Sequence, residues 1–300
     1  MARMRVPRCL LCGLCITVAA QAHALEGGTS SYPSGVVTVM SGAVGASGET
    51  HAYSYNKLID IDSVRNGQGE KVFPKAKGKI HAHALRLVHT LEQARFLGGD
   101  VSLQAALPYV DGHIDIPVLG FRGRDSSEGM GDPMFGFLLS WASPTYLHNV
   151  DVEWIQPWGT YDRDALINPG NNTKALYLGY AFTWFPVGKL EVSSKVSANY
   201  SFENKATDYQ SGIQLVADLG VNYRIAQHWL AGVGGFISTQ LNDDQSDGHT
   251  VGNRSRSTKL GPQLGYGTRD WGFVAAYQKD VYARNTSGGD TLMFNGYMKF

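Results

Sequence analysis

The stretch LEVSSKVSANYSFE, Leu190 to Glu203, decides how the chain folds. Leu190, Val192, Val196, Ala198, Tyr200 and Phe202 fall on one phase, and Glu191, Ser193, Lys195, Ser197, Asn199 and Glu203 on the other. A period of two puts successive side chains on opposite faces of a sheet. Soluble strands average about five or six residues, whereas a tilted strand crossing a bilayer needs ~9–11. This run has the second length. Before it, Leu176, Leu178, Tyr180, Phe182 and Trp184 alternate with small residues such as Ala175, Gly179 and Ala181. After it, Ile213, Leu215, Ala217, Leu219, Val221 and Tyr223 oppose Gln210, Gln214, Asp218, Asn222 and Arg224.

The same unit can be laid out about twelve times between His51 and Phe300, an even number as bacterial barrels require. Short joints, such as Gln93–Arg95, Ser143–His148 and Pro186–Gly188, alternate with long polar ones, such as Val64–Ala76, Asp111–Met130 and Asp162–Asn172. Outer-membrane barrels pair short periplasmic turns with longer extracellular loops in this way. Trp141, Trp184, Tyr223, Trp229, Tyr266 and Trp271 all flank short joints on the apolar phase, the arrangement of an interfacial aromatic girdle. The expected fold is therefore all-β, a transmembrane antiparallel up-and-down barrel of about 12 strands over residues 51–300. Lipid satisfies no backbone groups, so such a sheet must close on itself, apolar side chains out and polar ones in.

The first 24 residues read as a signal peptide. Arg3, Arg5 and Arg8 precede an apolar run from Cys9 to Ala20, and Ala22-His23-Ala24 is a small-x-small cleavage site. The residues before Cys12 and Cys15 make a poor lipidation box. All three cysteines lie in this segment, so the mature chain has no disulfide or thiolate ligand. Its removal takes away three arginines and no acids, leaving 23 basic residues against 26 acidic ones, a net −3. That balance speaks against nucleic-acid binding, which needs clustered positive charge. Past residue 24 no stretch approaches the ~18 apolar residues of a spanning helix. Residues 25–50, rich in glycine and serine, read as a periplasmic N-terminal segment able to tuck toward the barrel.

Several short motifs carry a family resemblance: Glu26 to Gly35 (EGGTSSYPSG), Gly129-Met130-Gly131-Asp132-Pro133, Asn168-Pro169-Gly170-Asn171, Thr207-Asp208-Tyr209-Gln210-Ser211-Gly212 and Gly261 to Tyr266 (GPQLGY). In order and spacing they resemble the outer-membrane proteins labelled "MetA-pathway of phenol degradation". The resemblance implies a barrel channel for aromatic or other hydrophobic compounds, and supplies no catalytic residues. Gly131, Asp132, Tyr209, Gln210, Ser211 and Gly212 are its motif positions. The terminal Phe300, on an alternating last strand, resembles the signal read by the outer-membrane assembly machinery, although Tyr297 lies on the opposite phase and Met298 stands two residues from the end.

The polar phase nominates Arg86, Gln104, Asp151, Glu153, Glu191, Lys195, Asn199, Asp218, Arg224, Gln278 and Asp280 as lumen residues that meet a permeant. Their mixed signs fit no dedicated anion or cation pore. Strands ~4.8 Å apart, tilted ~40°, give twelve of them a radius of about 12 Å, narrower than a 16–18-stranded porin. The expected function is passive uptake of small, hydrophobic or aromatic molecules across the bacterial outer membrane. The expected partners are membrane lipid, the assembly machinery and the permeant. No cofactor is expected, and no metal, since His81 and His83 share a face without a third ligand at matching spacing. Two alternatives stand beside it. A phospholipase-type enzyme needs Ser and His paired on the outer wall, where only His89 is a loose candidate. A structural or adhesive barrel would act through its loops.

Overall fold

The computed structural model describes residues 33–73, 76–118 and 121–300, so the signal segment lies outside it. Twelve long strands make one wall. They are β1 (Thr50–Arg65), β2 (Lys77–Phe96), β3 (Gly99–Val118), β4 (Met134–Ala142), β5 (Tyr146–Ile155) and β6 (Ala175–Trp184). The second half holds β7 (Leu190–Ser201), β8 (Gln214–Arg224), β9 (Trp229–Gln240), β10 (Arg256–Gly267), β11 (Trp271–Arg284) and β12 (Thr286–Lys299). Each pairs antiparallel with the next. β12 pairs with β1 from His51↔Lys299 to Arg65↔Thr286, which closes the barrel and leaves no edge.

The wall is built inside out relative to a soluble protein. Leu85, Phe137, Leu178, Val196, Val221 and Leu264 are 42–62% exposed on the outer face, where hydrocarbon is the solvent. The buried interior is polar, with Ser193, Lys195, Ser197, Asn199, Asp218 and Asn222 all on the inward phase. The protein is a transmembrane barrel of the outer membrane. At the end with the short turns, Trp229 lies 5.1 Å from Tyr266, which lies 5.1 Å from Trp271, so girdle rings from three neighbouring strands touch. At the same end Phe300 donates its N–H to the Thr50 carbonyl, tying the last residue to the first strand.

Two expectations need correction. The turn placed at Gln93–Arg95 lies at Leu97–Gly98, whose positive φ angles of 47° and 78° suit a two-residue hairpin. Gln93 has φ 55° and sits where the β2–β3 register slips between Thr90 and Arg95, so the polar cluster marks an irregularity inside the strand. The joint expected over Asp111–Met130 is instead a hairpin: residues Phe121–Met130 pair with β3 from Tyr109↔Met130 to Val118↔Phe121. Its β3 arm buries Ile114 and packs Ile116 against Val64 and Ala76, but the Phe121–Met130 arm carries no apolar phase to betray it.

The extracellular loops carry a small sheet of Tyr209–Gln210, Asp244–Ser246 and His249–Gly252. Asp244 is its hub. Its carboxylate accepts from the Tyr209 hydroxyl at 2.5 Å, from the Gly212 N–H at 2.7 Å and from Gln240. Burial pushes this carboxyl up to about 6, against the three bonds that hold it down. The folded loop thus binds the proton more tightly than the unfolded chain does, whose carboxyl keeps its ordinary value of 3.8. Loop stability therefore falls as pH rises from about 4 to about 6, and stays at its lower value above. Hydrogen exchange at the Gly212 amide, corrected for intrinsic rate, is expected to be slower at pH 5 than at pH 7.

Candidate functional site: an occupied lumen between two cavities

The barrel interior is not an open pore. Residues 33–49 run inside it, from the extracellular half down to the periplasmic end, where β1 begins. Asp218 accepts from the Gly35 N–H at 2.6 Å and from the Val37 N–H at 3.0 Å. Glu191 accepts from the Met40 N–H at 2.9 Å, and the Thr183 hydroxyl accepts from the Gly42 N–H at 3.0 Å. In return, segment carbonyls accept from the wall: Gly35 from Gln278 and Val36 from Asn295 at 3.0 Å each, and Ser34 from Lys57 at 2.8 Å. The Thr38 hydroxyl donates to Gln263 at 2.7 Å. A segment with no strand partner has its backbone groups satisfied by side chains instead, as buried backbone requires.

Small wall residues make room for this packing. A Cβ at Gly220 would stand 1.8 Å from the Thr38 carbonyl oxygen. At Gly179 it would meet Asp151 at 2.2 Å, and at Gly234 it would meet Gln263 at 2.1 Å. The space beside these glycines is filled by the segment and by neighbouring side chains.

Beside the segment lies a charged cluster. The Lys195 ammonium is 3.0 Å from Asp151 and 3.6 Å from Glu153, with all three side chains at most 6% exposed. It also sits 5.4 Å from the centre of the Tyr177 ring. Across the lumen the Arg86 guanidinium donates to Gln104 at 2.8 Å and lies 5.6 Å from the Tyr53 ring centre. Register explains the gathering: Asp151 pairs with Gly179, and Gly179 with Ser197, so the inward phases of β5, β6 and β7 converge at this level.

Of the residues nominated from sequence, Arg86, Gln104, Asp151, Glu153 and Lys195 come together here. Glu191, Asp218 and Gln278 hold the N-terminal segment. Asn199 is buried on the same wall, opposite Gln214. Two stand apart. Arg224 is at the periplasmic rim, its guanidinium 3.3 Å from the Gln227 carbonyl. Asp280 is toward the extracellular end, 3.6 Å from Arg65. The family-motif positions shape the loops, and one of them, Asp132, borders the outer cavity. Gly131 donates its N–H to Pro108 at 2.9 Å. Asp132, whose carboxyl burial pushes up, accepts from Gly159 at 2.9 Å and Asn171 at 2.7 Å. Tyr209 and Gly212 meet Asp244, and Gln210 bonds the Ser201 carbonyl at 2.9 Å, with Ser211 between them in the chain.

Sequence reasoning missed Lys57, which shares its phase with Tyr53, Tyr55, Ile59 and Ile61. The signal was there: a lone cation on an apolar inward phase needs a partner, here the Ser34 carbonyl. His89, considered above for an outer-wall dyad, has its ring nitrogen 2.9 Å from the Thr50 hydroxyl.

Two cavities flank the occupied zone. The outer one, about 280 Å³, is walled by Ile59, Ile61, Ile80, Val110, Met134 and Ile167, with Arg86, Glu153 and Lys195 at its floor. The inner one, about 710 Å³, opens toward the periplasm. Val36, Val37, Tyr55 and Arg86 border both.

Comparison with solved structures agrees with this architecture. An outer-membrane channel from Pseudomonas putida F1 superposes with a TM-score of 0.72 at 18% identity, covering 86% of this chain and 98% of that one. The transport unit of the autotransporter AIDA-I from Escherichia coli gives 0.50 at 10% identity, with 83% and 89% covered. The CymD monoaromatic hydrocarbon channel gives 0.45 at 12% identity, with 89% and 97% covered. The first two are likenesses of fold. No curated protein matches the chain. A family match spans residues 61–296, from the later part of β1 to the last residues of β12, and by it the chain belongs to the family described as "MetA-pathway of phenol degradation".

Proposed function

We propose that this barrel carries small hydrophobic or aromatic molecules passively across the outer membrane, and performs no catalysis. The observation that carries this reading is the outer cavity. Its wall is mostly apolar, with Ile59, Ile61, Ile80, Val110, Met134 and Ile167 standing above the charged floor. A pore for sugars or ions gains nothing from such a wall, whereas an apolar solute leaves water to enter it, at roughly 25 cal/mol per Å² buried. The segment threaded through the lumen supports the same reading, because it obstructs a water-filled path.

The test is uptake of labelled toluene at low concentration by a Gram-negative host whose lipopolysaccharide layer is intact. Cells expressing this protein are expected to take it up several-fold faster than cells expressing an unrelated barrel, with no gain for a sugar of similar size. Equal rates would overturn the reading. Release of lysophospholipid by the purified protein would overturn the absence of catalysis.

A further inference from the structure

The inner cavity has a composition unlike the rest of the chain. Four cations, Arg86, Lys189, Arg224 and Arg269, face it with a single carboxylate, Glu191. The mature protein as a whole carries more acids than bases, so the excess is local. The one carboxylate is already engaged, accepting from the Met40 N–H at 2.9 Å, the Ser193 hydroxyl at 2.8 Å and the Asn222 amide at 3.2 Å. Arg269 has Glu49 at 3.8 Å, but Glu49 is held by Lys299 at 2.8 Å. The imidazoles of His51 and His228 also border the space.

The opposite character lies on the same walls. Tyr53 and Tyr55 stack with rings 6.3 Å apart and 6° from parallel, and Tyr297 tilts against Tyr53 at 6.5 Å. Val44, Leu230 and Val274 extend this surface. A flat apolar body fits against the tyrosines with its charge toward the cations. At about 710 Å³ the space is in the usual range for small-molecule sites.

We infer that the periplasmic vestibule is a binding site for an aromatic monoanion of the carboxylate class, its ring on the Tyr53–Tyr55–Tyr297 wall and its carboxylate toward Lys189 and Arg224. This deepens the uptake reading and rests on it for the solute's reason to be there. Arg86, the one charged residue bordering both cavities among the described residues, marks the inner limit of the site. Guanidinium and ammonium groups bind carboxylates by charge-assisted hydrogen bonds.

The test is calorimetry on the refolded mature protein in nanodiscs of zwitterionic lipid, with 4-methylbenzoate and its neutral isostere 4-methylbenzamide. At low salt the benzoate is expected to bind about tenfold more tightly, a difference one good charge pair supplies, and the gap narrows as salt rises. The double variant K189Q/R224Q is expected to close the gap. Heat-modifiable migration on a gel checks that it still forms a barrel, and if it does not, the salt dependence of the wild type decides. Tyr53→Ala is expected to weaken both ligands alike. No gap in the wild type, a gap that salt leaves unchanged, a gap that survives in the folded double variant, or displacement of the benzoate by equimolar inorganic phosphate would each overturn the inference. Binding without toluene uptake in cells would sink the transport reading and leave this site standing. Uptake without the charge-dependent binding would do the reverse.

Discussion

Deleting residues 33–48 is expected to raise single-channel conductance in planar bilayers several-fold. A twelve-stranded barrel has a radius of about 12 Å, and that space narrows to an ion path only if something fills it. Residues 33–49 fill it here. Their bonds to Asp218, Glu191, Thr183, Gln263 and Gln278 lie along the axis, where current would pass. Water entering the emptied lumen solvates the released side chains, so the wall stays closed through its backbone ladder. A second variant needs no deletion. In Gly220→Leu the new side chain starts where the Thr38 carbonyl now rests, so the segment must shift. Conductance is expected to rise there too, by less. Conductance unchanged in the deletion would show that the block lies elsewhere, with the Arg86–Glu153–Lys195 floor of the outer cavity next in line.

Lys195→Met is expected to destabilise the barrel by about 3–5 kcal/mol, the cost typical of stranding a buried charge by removing its partner. The side chain of Lys195 is only 5% exposed, with Asp151 and Glu153 at 0% and 6%, so solvent does not rescue the two carboxylates. Arg86 remains in the same part of the lumen, committed to Gln104. The readout is the urea midpoint for unfolding from lipid vesicles, with gel migration as a check on folding. Adding Asp151→Asn to Lys195→Met is expected to recover part of the loss, since it removes one stranded charge. Lys195→Met at wild-type stability would mean that water reaches the cluster.

How much of this was legible beforehand follows from where the solvent changes. Across the membrane the outer face meets lipid and the inner face polar groups, so Leu190 to Glu203 shows its phase at every position but Ser194. Above the membrane that contrast vanishes, and Phe121–Met130 pairs as a strand without any pattern to announce it. Asp151, Glu153 and Lys195 were legible as inward residues, yet their meeting depends on register, which the alternation leaves free by steps of two. Arg224 shares a phase with Asp218 but sits at the rim, because phase fixes a face and not a depth. The threaded segment was the hardest to see. VVTV (Val36–Val39) has no period, and its partner Asp218 is 183 residues from Gly35.

The route of residues 33–49 also constrains how the molecule comes into being. Pro33 and Ser34 border the outer cavity, and Glu49 sits where β1 begins at the opposite end. A length of chain therefore spans the enclosed space before the first strand is laid. The seam between β1 and β12 joins residues more than 200 positions apart, such as His51 and Lys299, and only its formation makes the enclosure complete. Contacts of such separation form late, because loop entropy must be lost before they reward it. A segment laid inside while the sheet is still open, as a cord in a sleeve before the sleeve is sewn, would let the side chains that later obstruct the passage guide the closing of the last seam.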